Sequence, residues 1–177
     1  MITIIAAMSE KGVIGKDGRI PWKISADIKR FAKLTTGHTV VMGRKTFESI
    51  PPKFRPLPNR NNIVLTSNPN YQSDGIEICQ STDVLLDVIF KNIFLKKESI
   101  FIIGGASLYN FYIPFADKLE LTFVDGEYEG DTFFPPFFRV GDELTFDQHN
   151  VFTRIKFEYP MKQAGDLIYS FQTFERV

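Results

Sequence analysis

The chain holds little that could bind a metal or form a covalent staple. Its 177 residues include one cysteine, Cys79, and two histidines, His38 and His149. That excludes an internal disulfide, a Cys-x-x-Cys pair and a Cys/His metal set. Net charge is absent too, since 21 Lys and Arg balance 21 Asp and Glu. Without a broad basic field, neither a nucleic-acid backbone nor an anionic membrane surface is an expected partner. The N-terminal run Ile2-Thr3-Ile4-Ile5-Ala6-Ala7-Met8 is too short to cross a bilayer and has no basic stretch before it. No signal peptide or anchor is expected, and the expected location is the cytoplasm. The G-x-G-x-x-G dinucleotide fingerprint is missing, as are repeats, linkers and low-complexity segments.

What remains is ordinary globular material, 44% hydrophobic and 24% charged, enough for one core and one domain over 1–177. The 18 Phe against a single Trp read mainly as core filling, with a pocket for a flat ligand as a second use. Residues Met1 to Met8 predict a strand buried on both faces of a parallel sheet. Ser9 to Trp22, with three glycines and Pro21, predicts a long functional loop. Ser25 is placed to cap a helix running to about Leu34. Thr39 to Met42 reads as a strand, and Gly43-Arg44-Lys45-Thr46 opens a helix through Ile50. Pro51 to Asn61 is a proline-rich loop, followed by strands at Asn62 to Leu65 and Ile76 to Cys79. Ser81 or Thr82 caps a helix carrying Val84, Leu85, Val88, Ile89 and Ile93 at helical spacing. Ile100 to Ile103 is a strand that breaks at Gly104-Gly105 into a helix from Ala106. After Leu119 to Val124 come long alternating strands near Leu144 to Tyr159 and Leu167 to Phe174, joined by Met161 to Asp166 as a hairpin. The class is α/β, a mostly parallel sheet with helices on both faces, whose ligands belong at the carboxyl ends of the strands.

Three constellations fit that edge. With about 100° per helical residue, Asp27 falls between Leu34 and Phe31 within the apolar arc of its helix, while Lys29, Arg30 and Lys33 turn to water. A carboxylate there is either a second-turn residue favoured by the helix dipole or a functional group. In the latter case burial raises its pKa and suits it to proton chemistry or to pairing with an amidine-like N–H edge. The second constellation is three strand ends: Gly43 to Thr46, Thr66-Ser67-Asn68, and Gly104 to Ser107. Each alone is an ordinary turn; along one sheet edge they outline a dinucleotide with two separate phosphate sites. The third is Arg60, in the rigid Pro56-Leu57-Pro58-Asn59-Arg60-Asn61. It is either a solvated loop arginine or a guanidinium fork held for a carboxylate.

In order and spacing, these residues resemble bacterial-type dihydrofolate reductases over essentially the full length. The matching pieces are Ile4-Ile5-Ala6-Ala7, Gly12-Val13-Ile14-Gly15, Ile20-Pro21-Trp22, Asp27 with Phe31, Met42 through Ile50, Pro56 through Asn61, Ile103-Gly104-Gly105, Leu121-Thr122 and Glu129 through Pro135. The resemblance implies a sheet of eight strands, the last antiparallel. It also implies NADPH-dependent reduction of dihydrofolate to tetrahydrofolate, serving one-carbon metabolism, with antifolate inhibitors as further ligands and a monomer as the default state. Asp27, Trp22 and Thr122 would be the catalytic group. Asp27 and Thr122 would hold the pterin edge, and a water near Trp22 would carry the proton. Ile5, Ile28, Phe31, Ile50 and Leu57 would enclose the rings, and Arg60 would pair with the glutamate α-carboxylate. For NADPH, Ala7, Ile14, Gly15 and Ile20 would lie by the nicotinamide. Thr46 and the Gly104-Gly105-Ala106-Ser107 turn would hold the pyrophosphate, Arg44, Thr66 and Ser67 would contact the adenosine 2′-phosphate, and Gly43, Lys45, Leu65, Ile103, Leu108 and Tyr109 would complete the cofactor site. Residues 38–97 would form an adenosine-binding subdomain, and Ser9 to Trp22 a lid facing Asp131, whose carboxylate would accept from backbone near Gly15. Three departures stand out: Ile20 where many members have Met or Leu, Ser107 where some have arginine, and a longer Pro51 to Arg55 loop. A related reductase of another pterin or pyrimidine, and a non-catalytic pterin or nucleotide binder, are the competing readings.

Overall fold

The uninterrupted apolar run at the N-terminus does what its composition predicts, becoming a central strand with all but Ala7 of Ile2–Ser9 buried. The computed structural model describes residues 1–96, 98–147, 150–158 and 162–177. In chain order the elements are β1 (Ile2–Ser9), β2 (Val13–Gly15), α1 (Ser25–Thr35), β3 (Thr39–Gly43), α2 (Arg44–Ser49), β4 (Asn61–Leu65), β5 (Glu77–Cys79), α3 (Thr82–Lys96), β6 (Ile100–Gly104), α4 (Ala106–Tyr112) and β7 (Lys118–Val124). The remaining strands are β8 (Thr132–Phe133), β9 (Phe138–Val140), β10 (Glu143–Thr145), β11 (Val151–Phe157), β12 (Lys162–Ala164) and β13 (Leu167–Arg176), with short 3-10 turns at Pro52–Phe54 and Ile113–Phe115.

The main sheet runs β5-β4-β3-β6-β1-β7-β13-β11-β10-β9, with β12 paired to β13 off that path. From β5 to β7 every pairing is parallel; from β13 outward every pairing is antiparallel. Alternate residues of the parallel strands serve two cores. Ile4, Met8, Val41 and Ile63 pack with Leu85 and Ile89 of α3 and Leu108 and Tyr112 of α4. Ile5, Val40, Met42 and Val64 pack with Phe47 of α2 and with Phe31 and Leu34 of α1. The strand period of two thus puts α1 and α2 on one face and α3 and α4 on the other.

The expected α/β class holds, but the sheet path has ten strands rather than eight. The surplus lies at the antiparallel edge. The run expected as one strand from Leu144 is two, β10 and β11, paired with Glu143 opposite Thr153. In front of them Gly141, at φ +57°, turns β9 into β10. A Gly-Asp between short alternating segments was the available signal. Of the expected hairpin, Gly165 and Asp166 turn β12 into β13, while Met161, like His149 and like Tyr159 where the preceding strand was expected to end, lies outside the described residues.

Smaller differences concern helix ends and faces. Ile24, not Ser25, occupies the cap of α1, without a side-chain hydrogen bond. Ser81 caps α3, its Oγ accepting from the Val84 N–H at 3.3 Å. Val84 itself stands exposed, while Leu85 and Ile89 are fully buried. No helix among the described residues is long and apolar enough to cross a membrane.

Candidate active site

The parallel strands β1, β3, β4 and β6 end at the same sheet edge, and residues at and just beyond those ends line one cavity of about 770 Å3. Ala7, Ile14, Gly15 and Ile20 form part of its wall, together with Gly43 to Thr46, Leu65 to Ser67 and Ile103 to Tyr109. Every residue expected along NADPH is therefore on this one surface. Gly18, Arg19, Ser49, Gln80, Ser81, Thr82 and Thr132 also line it, and none of them was assigned to the cofactor from sequence.

Its electrostatics arise from its lining. The charged side chains in the lining are Arg19, Arg44 and Lys45, with no carboxylate among them, although Glu48 just outside the lining pairs with Arg44 at 2.8 Å and the chain as a whole is neutral. Gly43 and Gly105 cap α2 and α4 with no side chain, so the first-turn N–H groups have no side-chain acceptor there. The two turns approach each other closely. A Cβ added to Gly105 would lie 3.4 Å from Thr46 Oγ1, and one added to Gly43 would lie 3.9 Å from the Gly105 nitrogen. An anionic, elongated molecule with polar groups at intervals fits such a trough.

Asp27 lies on the other side of β1. Thr122 of β7 donates to Asp27 Oδ1 at 2.5 Å, and Thr122 is the cross-strand neighbour of Ala7, which lines the cavity. Burial pushes the Asp27 carboxyl above the ordinary aspartate value, against the opposing pull of the Thr122 hydrogen bond and the Arg30 charge. Trp22 is buried against Tyr128, ring centroids 4.9 Å apart, and its Nε1 is buried without a partner among the described residues. Tyr109 bridges the two sides: it lines the cavity while its hydroxyl donates to the Ile5 carbonyl at 2.9 Å. Burial, and behind it the Asp27 charge, raises its phenol far above the usual range, so it stays a donor.

Arg30 contradicts the helical-wheel expectation. Rather than turning to water, it is paired with Glu120 of β7, the two side chains only 14% and 10% exposed. The wheel gives direction but not what the helix docks on, and here β7 and β13 lie under that side of α1.

The ring-enclosing set is half assembled by the core. Ile5 is buried, and Phe31, Ile50 and Leu57 are partly buried against the same cluster, whereas Ile28 is 57% exposed. Arg60 is held by the protein at two nitrogens: Nε donates to the Pro58 carbonyl at 2.9 Å and Nη1 to Thr35 Oγ1 at 3.0 Å. No carboxylate pairs with it among the described residues, and its carbon lies 5.7 Å from the Phe31 ring centroid. A residue missed from sequence holds this loop. The buried Asn62 accepts from the Leu57 N–H at 3.0 Å and donates to the carbonyls of Leu57 and Arg60 at 2.9 and 3.0 Å. An asparagine at a buried strand position was the signal.

The segment Ser9 to Trp22 is more ordered than a loop, because β2 within it pairs with β8. As expected, the Asp131 carboxylate accepts from backbone near Gly15, from the Asp17 N–H at 2.8 Å, and the Asp131 N–H in turn donates to the Gly15 carbonyl at 3.1 Å. Gly130 makes this approach feasible: an added Cβ would lie 2.3 Å from Val13 Cγ1 and 2.8 Å from the Gly15 oxygen.

A family model described as dihydrofolate reductase matches residues 1–176. The chain belongs to the dihydrofolate reductase family. It is 43% identical over 150 residues to dihydrofolate reductase type 3 of Salmonella typhimurium, covering 84% of this chain and 88% of that one. To the dihydrofolate reductase of Bacillus subtilis it is 45% identical over 137 residues, 77% of each. A solved dihydrofolate reductase from Enterococcus faecalis, complexed with NADP(H) and RAB-propyl, superposes with a TM-score of 0.80 at 34% identity, covering 99% of this chain and 96% of that one. Family membership and the acid-free cavity bear on the same question from independent sides, one through ancestry and the other through electrostatics.

Proposed function

We propose that this protein reduces dihydrofolate to tetrahydrofolate with NADPH, supplying one-carbon metabolism in the cytoplasm, and that both ligands meet at the Ala7/Thr122 pair. The observation that carries the reading is the adjacency, across one strand pair, of an acid-free cavity and a half-buried carboxylate. The trough fits NADPH: its glycine-capped turns and Thr46 lie where a pyrophosphate needs donors, and Arg44, Thr66 and Ser67 lie where a 2′-phosphate needs charge and hydroxyls. Residues 38–97 form the adenosine-binding part. When bound, NADPH supplies a hydride.

The chain's own residues do the rest. Asp27, its other oxygen steadied by Thr122, pairs with the amino and N3 edge of the pterin. Burial, by raising its pKa, makes it a readier proton source than an exposed aspartate for protonation of N5 as C6 is reduced. Trp22 offers its unpartnered Nε1–H to orient a water on that route. Ile5, Ile28, Phe31, Ile50 and Leu57 close on the flat rings and exclude bulk water, and Arg60 receives the tail carboxylate through a fork already aimed by Pro58 and Thr35. Antifolates with a protonated diamino ring edge would compete for Asp27.

The test is loss of the NADPH absorbance band on mixing the protein with NADPH and dihydrofolate, with NADH and a tail-less pterin run alongside. Fast loss with NADPH and dihydrofolate is the expected result. No loss with a folded protein would overturn the reading.

A further inference from the structure

Asp27 sits one helical turn before Arg30, and Thr122 two residues after Glu120. The helix advances about 4.5 Å over that interval and the strand about 6.6 Å, so the same two steps meet twice: Thr122 with Asp27, and Glu120 with Arg30. The second contact is the more enclosed. Thr173 of β13, directly opposite Glu120 in the ladder, donates to Glu120 Oε2 at 2.8 Å, and that same oxygen takes Arg30 Nη2. The Arg30 guanidinium carbon also lies 4.8 Å from the ring centroid of Phe171, the residue opposite Thr122. Arg30 is thereby gripped by two strands, on a seam that includes the partner of Asp27.

We infer that Arg30, through its pair with Glu120, is a positioning residue for Asp27, fixing the carboxylate's helix turn on β7 and setting the charge that Asp27 sees. This rests on the reading of Asp27 as the group that binds and protonates the pterin. The charged groups in question are few. Arg30 acts from α1, with Glu120 behind it on β7; Thr122 contributes a hydrogen bond, and Tyr109 from α4 remains a neutral phenol. A salt bridge that only held the helix down would be insensitive to which partner is removed. A pair that sets the field at Asp27 is not. Arg30→Met removes the cation that favours ionised Asp27 and moves its titration up. Glu120→Gln leaves Arg30 uncompensated and moves it down, while keeping an acceptor for Thr173.

The experiment tracks Asp27 by carboxyl carbon NMR in protein labelled at aspartate, assigned with Asp27→Asn, alongside the pH profile of kcat/KM for dihydrofolate. Opposite displacements in the two single variants, with the double variant Arg30→Met/Glu120→Gln returning close to the parent, are expected. The acid limb of kcat/KM should move with the NMR titration. The double variant buries no unpaired charge and is the guard against simple unfolding. Unchanged Asp27 titration in folded variants, or shifts of the same sign in both, would overturn the inference. Failure of the parent to turn over dihydrofolate would instead overturn the functional reading, and the NMR titration would still decide the role of Arg30.

Discussion

The trough at the strand ends and the Asp27 cluster on the other side of β1 are built in opposite ways. The trough is made largely of backbone, glycine and hydroxyl groups at consecutive positions after strand ends, with cations and no acid. The Asp27 side is made of single side chains from distant segments: Asp27 and Arg30 from α1, Glu120 and Thr122 from β7, and Thr173 from β13, with Arg30 matched to a partner and Arg60 held separately in its proline loop. A trough assembled from main chain spreads its binding over many weak contacts. A cluster assembled from charged side chains concentrates it in a few, and single substitutions should separate the two.

Asp27→Asn should show the largest effect. Turnover near neutral pH should fall by about two to four orders of magnitude, while NADPH affinity measured by fluorescence titration stays unchanged. A comparable loss of NADPH binding would mean that the two regions are not separable. The same variant should gain stability. Because burial raises the folded-state pKa of Asp27, the folded protein binds more protons than the unfolded chain between the two pKa values, so stability falls as pH rises through that window. Thermal melts should therefore show Asp27→Asn above the parent at neutral pH, with the gain vanishing below the unfolded aspartate pKa.

Next comes Arg60→Leu, which removes a charged fork already positioned by Thr35 and Pro58. The KM for dihydrofolate should rise roughly tenfold to a hundredfold, as expected for charge-assisted hydrogen bonds of about 1.5–3 kcal/mol, with kcat little changed. A tail-less pterin should not notice the substitution. Gly130→Ala tests the β2–β8 segment beside the trough. Its Cβ cannot be housed 2.3 Å from Val13 Cγ1, so the β2–β8 pairing must shift. Stopped-flow and steady-state rates should show a several-fold change in turnover with the Asp27 pH limb in place. The smallest effect belongs to the trough. Glu48 engages Arg44 at 2.8 Å with both side chains about 40% exposed, so Glu48→Gln should free Arg44 and tighten NADPH no more than a few-fold, less in high salt.

Much of the trough was legible in sequence because each of its parts is local: a strand, a break at glycine, a helix. Gly43 and Gly104-Gly105 announce their own turns, and parallel strands are enough to bring them to one edge. The partners in the Asp27 cluster were less so. The helical period placed Asp27 correctly on the inward arc but sent Arg30 outward, because period does not say what lies beneath the helix. Asn62 and Glu120 read as ordinary strand polar residues until the loop and α1 are seen to dock on them. At the antiparallel edge, short segments interrupted by Gly and charge merged into one long expected strand.

The amino-acid order by itself therefore determined the α/β class, the alternation of buried strand, turn and helix, and the inward placement of Asp27 on its helix, which come from local sterics and from periods of 2 and 3.6; most of the other expected site residues rested on the family resemblance. The tertiary structure alone decided which charge compensates which: that Arg30 meets Glu120 and Thr173, that Thr122 joins Asp27 to the wall of the trough, and that Asn62 holds the Arg60 loop. Those contacts depend on the register of β7 against β1 and β13 and on how α1 docks there. Register across strands far apart in the chain is set by the packing of the whole sheet rather than by any one segment.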